Sequence, residues 1–270
     1  MHPELISFNL PEFLHGIFPA TLTIYWYGFL IAIGAIAAIS YTGYQAKKHY
    51  QLKFEDANTL FLLLLLAAIV GGKVFYFFEN PAYYLSHFGE LMTGRGFVFY
   101  GSFLFTIPVM LVFFKVHKLP VLGMLDIMGI TTCIVHIFGR LGCFMAGCCH
   151  GKPYDGVLSV TFTDSHSLAS PLHTALHPTQ LYSATMIGLI LIILLRIKKR
   201  QVFSGQVFIS YIILYATGRA IIEIFRGDFS RGFIIDGYVS HSQFISLLLI
   251  IGAVGIYYKL YQNSKKSLND

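Results

Sequence analysis

An all-α polytopic membrane protein of about seven transmembrane helices is the fold class this 270-residue sequence predicts, on three observations. Hydrophobic residues make up 56% of the chain and charged residues only 12%, half the roughly 25% charge of a soluble domain. Apolar stretches near the ~20 residues that span a bilayer recur seven times. The basic residues gather in alternate connections between those stretches, the asymmetry by which membrane helices are oriented. The 25 Phe and 17 Tyr suit helices whose rings face lipid and its interfaces. A formal net charge of +6 is explained by this placement and implies no nucleic-acid partner.

The first residues, Met1 to Ile17, carry Glu4 and Glu12 and no Lys or Arg. They lack the basic start of a cleavable signal peptide, so the first apolar segment is expected to remain in the protein. The seven spans are then expected near Thr21–Gln45, Asn58–Phe78, Val98–Phe114, Pro120–Gly139, Thr179–Ile197, Gln206–Phe225 and Val239–Tyr261. One long connection, from about Leu141 to Leu176, separates the fourth and fifth. Its Val157-Leu-Ser-Val-Thr-Phe162 alternates and predicts a short strand. With no tandem repeat or low-complexity linker, residues 1–270 read as a single integral-membrane domain.

Of the 19 Lys and Arg residues, 12 fall in one set of alternating connections: Lys47, Lys48, Lys53, Lys115, Lys118, Arg196, Lys198, Lys199, Arg200, Lys259, Lys265 and Lys266. The other set holds only Arg95, Lys152, Arg226 and Arg231. The richer set is expected in the cytoplasm, which puts the amino terminus outside, the carboxyl terminus inside, and a small extracytoplasmic loop region at 141–176.

Lys73, Asp126, His136, Arg140, Arg219 and Glu223 interrupt otherwise apolar spans, where a charge costs at least a few kcal/mol unless paired or hydrated. A long side chain near a span end can snorkel to the interface, which suffices for Lys73 alone but not for the group. In Gly218-Arg-Ala-Ile-Ile-Glu-Ile-Phe-Arg226, spacings of four and three place Arg219, Glu223 and Arg226 on one helical face. Such a trio is either a structural salt bridge or an oriented guanidinium offering paired donors to a phosphate. His136 and Arg140 are also four apart. They lead into Gly139-Arg-Leu-Gly-Cys-Phe-Met-Ala-Gly-Cys-Cys-His-Gly-Lys-Pro153, whose glycines permit tight turns and close approach or close helix packing. Trp26, Tyr27 and Tyr100 read first as interfacial aromatics. For Cys143, Cys148 and Cys149 a disulfide ranks first, free thiols second and a metal third, because one histidine beside vicinal cysteines lacks the two-pair spacing of zinc sites. Cys133 reads as a small buried hydrophobe.

Taken together, these segments resemble the bacterial prolipoprotein diacylglyceryl transferase family across nearly the whole chain. Trp26-Tyr-Gly28 matches the family's first-helix Tyr-Gly, and Gly71-Gly-Lys73 its second-helix Gly-Gly-Arg. Asp126 stands before the signature that Gly139-Arg-Leu-Gly142 opens and that Gly147 and Gly151 continue. His177-Pro-Thr-Gln-Leu-Tyr182, Arg219 with Glu223 and Phe225-Arg226, and Ser240-His-Ser-Gln243 follow in the family's order. The departures lie at Cys143 and Ala146, where the family has Asn, at Cys148, where it has Glu, and at Tyr100, where it has a histidine.

The resemblance implies transfer of a diacylglyceryl group from phosphatidylglycerol to the lipobox cysteine of a preprolipoprotein, forming a thioether and releasing glycerol-1-phosphate. It implies an outward-facing site in the cytoplasmic membrane, with membrane lipid and the lipobox peptide as partners and no cofactor. Arg140, Arg219, Tyr100 and Glu223 are the implied reaction centre. Tyr27, Lys73, Cys143, Cys148, His177, Gln180, Tyr182, Arg226 and Gln243 are the implied substrate contacts. A phenol is a poor proton acceptor near neutrality, so Tyr100 is read as touching ligand and the general base stays unassigned among His136, His150 and His177. The alternatives are a non-catalytic or altered-specificity relative that binds a phospholipid headgroup or lipidated peptide, and a transporter, for which no paired broken helices argue.

Overall fold

Long helices form wherever the sequence offers an uninterrupted apolar run. The computed structural model describes residues 2–11, 21–91, 96–226, 233–235 and 239–269. In chain order the elements are β1 (Glu4–Asn9), β2 (Thr21–Tyr25), α1 (Trp26–Tyr50), α2 (Phe54–Glu79), the short α3 (Pro81–Ser86) and α4 (Phe88–Leu91), α5 (Phe99–Val116) and α6 (Val121–Ala146). There follow β3 (Val160–Thr161), β4 (Ala175–Leu176), α7 (Thr179–Lys199), α8 (Gln206–Glu223), β5 (Phe233–Ile235), β6 (Val239–Ser240) and α9 (His241–Asn269). Seven of these described helices have 18 residues or more and match the seven predicted stretches.

Five of the described helices, α1, α2, α6, α7 and α9, have on their own the length and apolarity to cross a membrane. Their apolar side chains are widely exposed: Leu247, Leu248, Leu249 and Ile251 on α9 are each at least half accessible. In water such a surface would be an aggregation hazard; in lipid it is the expected exterior. The chain is a multi-pass, predominantly helical membrane protein. The last turns of α1, α5, α7 and α9 carry Lys or Arg, whereas those of α2, α6 and α8 carry none. Arg95 and Arg231 lie outside the described residues.

Two expectations are corrected. The first helix begins at Trp26 rather than Thr21, because Thr21–Tyr25 pairs antiparallel with Glu4–Asn9. The β-branched Thr21, Thr23 and Ile24 suit that pairing. The strand expected over Val157–Phe162 shrinks to Val160–Thr161, paired with Ala175–Leu176, because Phe162 turns into a small core with Ala169 and Leu176.

The chain divides into two units, Met1–Ala38 with Met128–Asp270, and Ile39–Ile127. In the second, α2 crosses α5 where Gly71 faces Gly101. A Cβ on either glycine would run into the other's carbonyl oxygen, so the close crossing requires small residues, as is common between membrane helices. The Ser102 hydroxyl donates to the Ala68 carbonyl at 2.7 Å and fixes the register. In the first unit, α8 and α9 are joined by a Gln206 Nε2 bond to the Tyr257 hydroxyl at 2.8 Å. The start of α9 is a capping box: Gln243 N–H donates to Ser240 Oγ at 3.2 Å and Ser240 N–H to Gln243 Oε1 at 3.0 Å, satisfying two N-terminal donors reciprocally.

Candidate active site

The first unit gathers its charges in a narrow cleft between α6, α7 and α8. His136 and Arg140 come from α6, Ser183 and Met186 from α7, and Tyr215 and Arg219 from α8. Helical periodicity puts them there, since residues four apart share a face: His136 with Arg140, and Tyr215 with Arg219 and Glu223. Gly218 lets α8 approach α7, because a Cβ there would collide with the Met186 side chain.

Within the cleft, Arg140 Nε donates to His136 Nε2 at 3.2 Å, and the His136 ring packs on Tyr215 with centroids 5.3 Å apart. Arg219 forms an ion pair with Glu223, with side chains only 15% and 11% exposed. The carboxylate offsets one guanidinium and leaves the cleft with an excess of positive charge. Two arginines line one cleft, and a guanidinium fork is the side-chain group best matched to the oxygens of a phosphate.

Arg226 does not share the helical face predicted for it. Helix α8 ends at Glu223, the chain turns through Ile224 and Phe225, and Arg226 bridges to Gly151. It is 6% exposed and still interacts electrostatically with Arg219. Gly151 is fixed on both sides: its N–H donates to the His177 carbonyl at 2.8 Å, and Lys152 N–H donates to the Phe225 carbonyl at 3.0 Å. A Cβ on Gly151 would meet the Phe225 oxygen and, at 2.7 Å, both His177 and Thr179.

Just past α6 the chain makes the cysteine turn. Gly147 and Cys149 adopt left-handed conformations, φ 81° and 62°, the second uncommon for a side chain with a Cβ. Helix α7 clamps this turn from below: Gln180 Nε2 donates to the Cys148 carbonyl at 2.6 Å and Thr179 Oγ1 to the Cys149 carbonyl at 2.7 Å. Cys143, Cys148 and Cys149 are free thiols, so the disulfide that ranked first in the sequence is replaced by a three-sulfur cluster with all atoms within 4.8 Å. Cys149 is held below the usual thiol range by hydrogen bonds from Cys143 and Cys148, with Arg226 and Arg140 adding to the effect. Tyr27 interacts electrostatically with all three thiols and with Arg140. Its backbone packs on Gly142, where a Cβ would lie 3.3 Å from the Tyr27 Cα.

The remaining expected residues divide by location. His177 stacks on Tyr154 at 3.9 Å between centroids and sits 3.1 Å from the Tyr182 hydroxyl. Burial, then Lys152, holds its pKa below the ordinary imidazole value. Gln243 also donates to the Ala220 carbonyl at 3.4 Å, tying α9 to α8. Lys73 and Tyr100 belong to the second unit. Lys73 Nζ lies 5.9 Å from the Tyr76 ring centre, and Tyr100 is 70% exposed on α5. Sequence reasoning missed Ser183, Met186 and Tyr215 as cleft residues. Only Tyr215, one helical turn before Arg219, carried a legible signal.

Fold and cleft together define a multi-pass membrane protein with a half-buried arginine pair suited to a phosphate-bearing lipid. Residues 16–259 match the family described as prolipoprotein diacylglyceryl transferase, and the chain belongs to that family. It is 37% identical over 238 residues to the phosphatidylglycerol–prolipoprotein diacylglyceryl transferase of Clostridium tetani, covering 87% of this chain and 92% of the relative. A second transferase of that name, from Clostridium perfringens, is 32% identical over 247 residues, with 87% and 91% covered. The Dehalococcoides mccartyi transferase is 26% identical over 252 residues, with 93% and 94% covered.

Proposed function

We propose that this chain transfers a diacylglyceryl group from phosphatidylglycerol to the lipobox cysteine thiol of a preprolipoprotein. The observation that carries the reading is the placement of Arg140 and Arg219 on one cleft, in a chain of this family. Cleaving the carbon–oxygen bond beside a phosphate leaves charge on the departing oxygen, and preoriented guanidinium donors stabilise that charge as it develops. Glu223 orients Arg219, and His136 orients Arg140.

The thiol-bearing acceptor approaches from the cysteine turn, where Tyr27, Cys143 and Cys148 lie. Gln180, His177, Tyr182 and Arg226 hold that turn and its loop, and Gln243 holds α9 against α8. Lys73 and Tyr100, which belong to the other unit, are proposed as substrate contacts on the sequence resemblance alone. The protein works as one transferase domain in the bacterial cytoplasmic membrane. The basic last turns of α1, α5, α7 and α9 support a cytoplasmic placement of those ends, an outer amino terminus and an outward-facing site.

Purified protein supplied with phosphatidylglycerol and a lipobox peptide tests the reading. Mass spectrometry of the peptide should show addition of a diacylglyceryl group. Lipid that copurifies with no mass added to the peptide would instead identify a headgroup-binding relative.

A further inference from the structure

The cysteine turn gathers three potential metal-ligating side chains, and its chemistry has not been used above. Three sulfurs, from the last turn of α6 and the turn after it, lie within 4.8 Å of one another. Tetrahedral zinc holds thiolates at about 2.3 Å, which separates the sulfurs by about 3.8 Å. Closing the cluster onto a cation therefore needs movements no larger than roughly 1 Å.

The backbone beneath the sulfurs is already fixed, since Gln180 and Thr179 hold the carbonyls of Cys148 and Cys149. Arg140 and Arg226 both act electrostatically on Cys149 and would offset the net negative charge of three thiolates on a divalent ion. The neighbouring imidazole does not complete the set: His150 Nδ1 contacts the Gly151 carbonyl at 3.0 Å and Nε2 accepts from the Ser170 amide at 3.3 Å. Structural zinc sites fill four positions with protein, whereas sites that act on a substrate keep one open.

We propose that Cys143, Cys148 and Cys149 bind a thiophilic divalent cation of the zinc class, whose fourth position takes the thiol of the acceptor cysteine. The identity of that acceptor rests on the transferase reading above; the cation site does not. On binding, whichever of the three cysteine sulfurs are still protonated release their protons to solvent, and the acceptor thiol releases its own, because a coordinated thiol is deprotonated outright. In the transfer the acceptor sulfur forms a bond to the glycerol carbon while the carbon–oxygen bond to phosphate breaks. The electron pair stays on the phosphate oxygen, so the phosphodiester monoanion leaves as the dianion of glycerol-1-phosphate. No oxidant or reductant is required. The cation supplies the thiolate without a separate protein general base.

The test uses the full chain in detergent, reduced, stripped with a chelator and titrated with Co²⁺ and with Zn²⁺. The expected result is one ion per chain, with thiolate-to-cobalt charge-transfer absorption and tetrahedral d–d bands. Cys143→Ser, Cys148→Ser and Cys149→Ser should each weaken Co²⁺ binding by more than the roughly 10–100-fold cost of losing an outer-shell partner. Cys133→Ala should bind as the parent does. Bound Zn²⁺ should also shield three thiols of the unaltered protein from alkylation, a readout that needs no variant. A lipobox-cysteine peptide should shift the d–d bands, and its serine counterpart should not. Substoichiometric binding, fewer than three shielded thiols, or bands unmoved by the thiol peptide would overturn the inference. Diacylglyceryl transfer at full rate by the stripped protein would overturn its catalytic part while sparing the transferase reading. Cation binding and band shift with no thioether formed would overturn the transferase reading and spare the site.

Discussion

Arg140 Nε donates a 3.2 Å hydrogen bond to His136 Nε2 across one turn of α6. That bond fixes the imidazole as an acceptor at Nε2 and places any proton of the neutral ring on Nδ1. His136 is thereby committed to orienting the guanidinium.

Truncation of either cleft arginine should be severe. Arg140→Ala and Arg219→Ala are each expected to lower turnover about 100- to 1,000-fold, the usual loss on removing one preoriented donor. Arg140→Lys keeps the charge but not the fork and should recover only part of the rate. Thioether formation measured by mass spectrometry checks the series, and near-normal turnover in either alanine variant would contradict the proposed role.

Glu223 separates positioning from stability. Glu223→Gln leaves Arg219 buried without its counter-charge, which typically destabilises by about 3–5 kcal/mol. The double substitution Arg219→Met with Glu223→Leu removes both charges together and should return most of the lost thermal stability. It should not return activity. Melting curves in detergent beside the transfer assay distinguish the two effects.

His177 makes the loop packing pH-dependent. Its folded pKa lies below the ordinary value, so the unfolded state binds more protons between the two values, and stability rises with pH there. The contribution is complete above about pH 6.5 and is lost as pH falls towards the folded value, when the imidazolium must be carried in a partly desolvated position beside Lys152. Protection of the Gly151, Lys152 and Tyr154 amides, relative to their intrinsic exchange rates at each pH, should fall on acidification through this window, and His177→Gln should flatten the response.

Gln243→Ala removes one half of the capping box at the start of α9. The expected cost is about 1 kcal/mol, seen as a lower melting temperature. Ser240→Ala should cost a similar amount, and the double variant should cost less than the sum, since the two side chains act reciprocally.

Gly151→Ala is a sharper structural test. The added methyl would meet the Phe225 carbonyl, His177 and Thr179 at once, and forced overpacking typically costs about 1–3 kcal/mol. The bridge to Arg226 should loosen, read as faster amide exchange at residues 151–152 and 225–226.

Much of this arrangement is legible in the amino-acid order because the membrane makes long apolar runs unambiguous. The seven helices, the basic ends and the i,i+4 pairs His136–Arg140 and Arg219–Glu223 follow from local periodicity. What local periodicity cannot reach is where a helix yields to a partner far along the chain. Trp26 opens α1 because Thr21–Tyr25 has a strand partner in Glu4–Asn9. Arg226 leaves the helical face because Gly151, 75 positions earlier, receives it. The same holds for the cysteines. Their spacing fits no standard metal pattern, and only the left-handed turn at Gly147 and Cys149 brings the three sulfurs together.

Helix α8 has 18 residues and carries Arg219 and Glu223, which keeps it outside the group of described helices that are apolar enough to cross alone. An ionised group adds about 2.5–3.5 kcal/mol to insertion at a helix centre; Arg219 and Glu223 stand nearer the end of α8, where packing against neighbouring helices shields them. Helices α6 and α7 line the same cleft and keep that part of α8 from the acyl chains. The charges that the proposed chemistry needs thus make α8 dependent on its neighbours for a place in the bilayer.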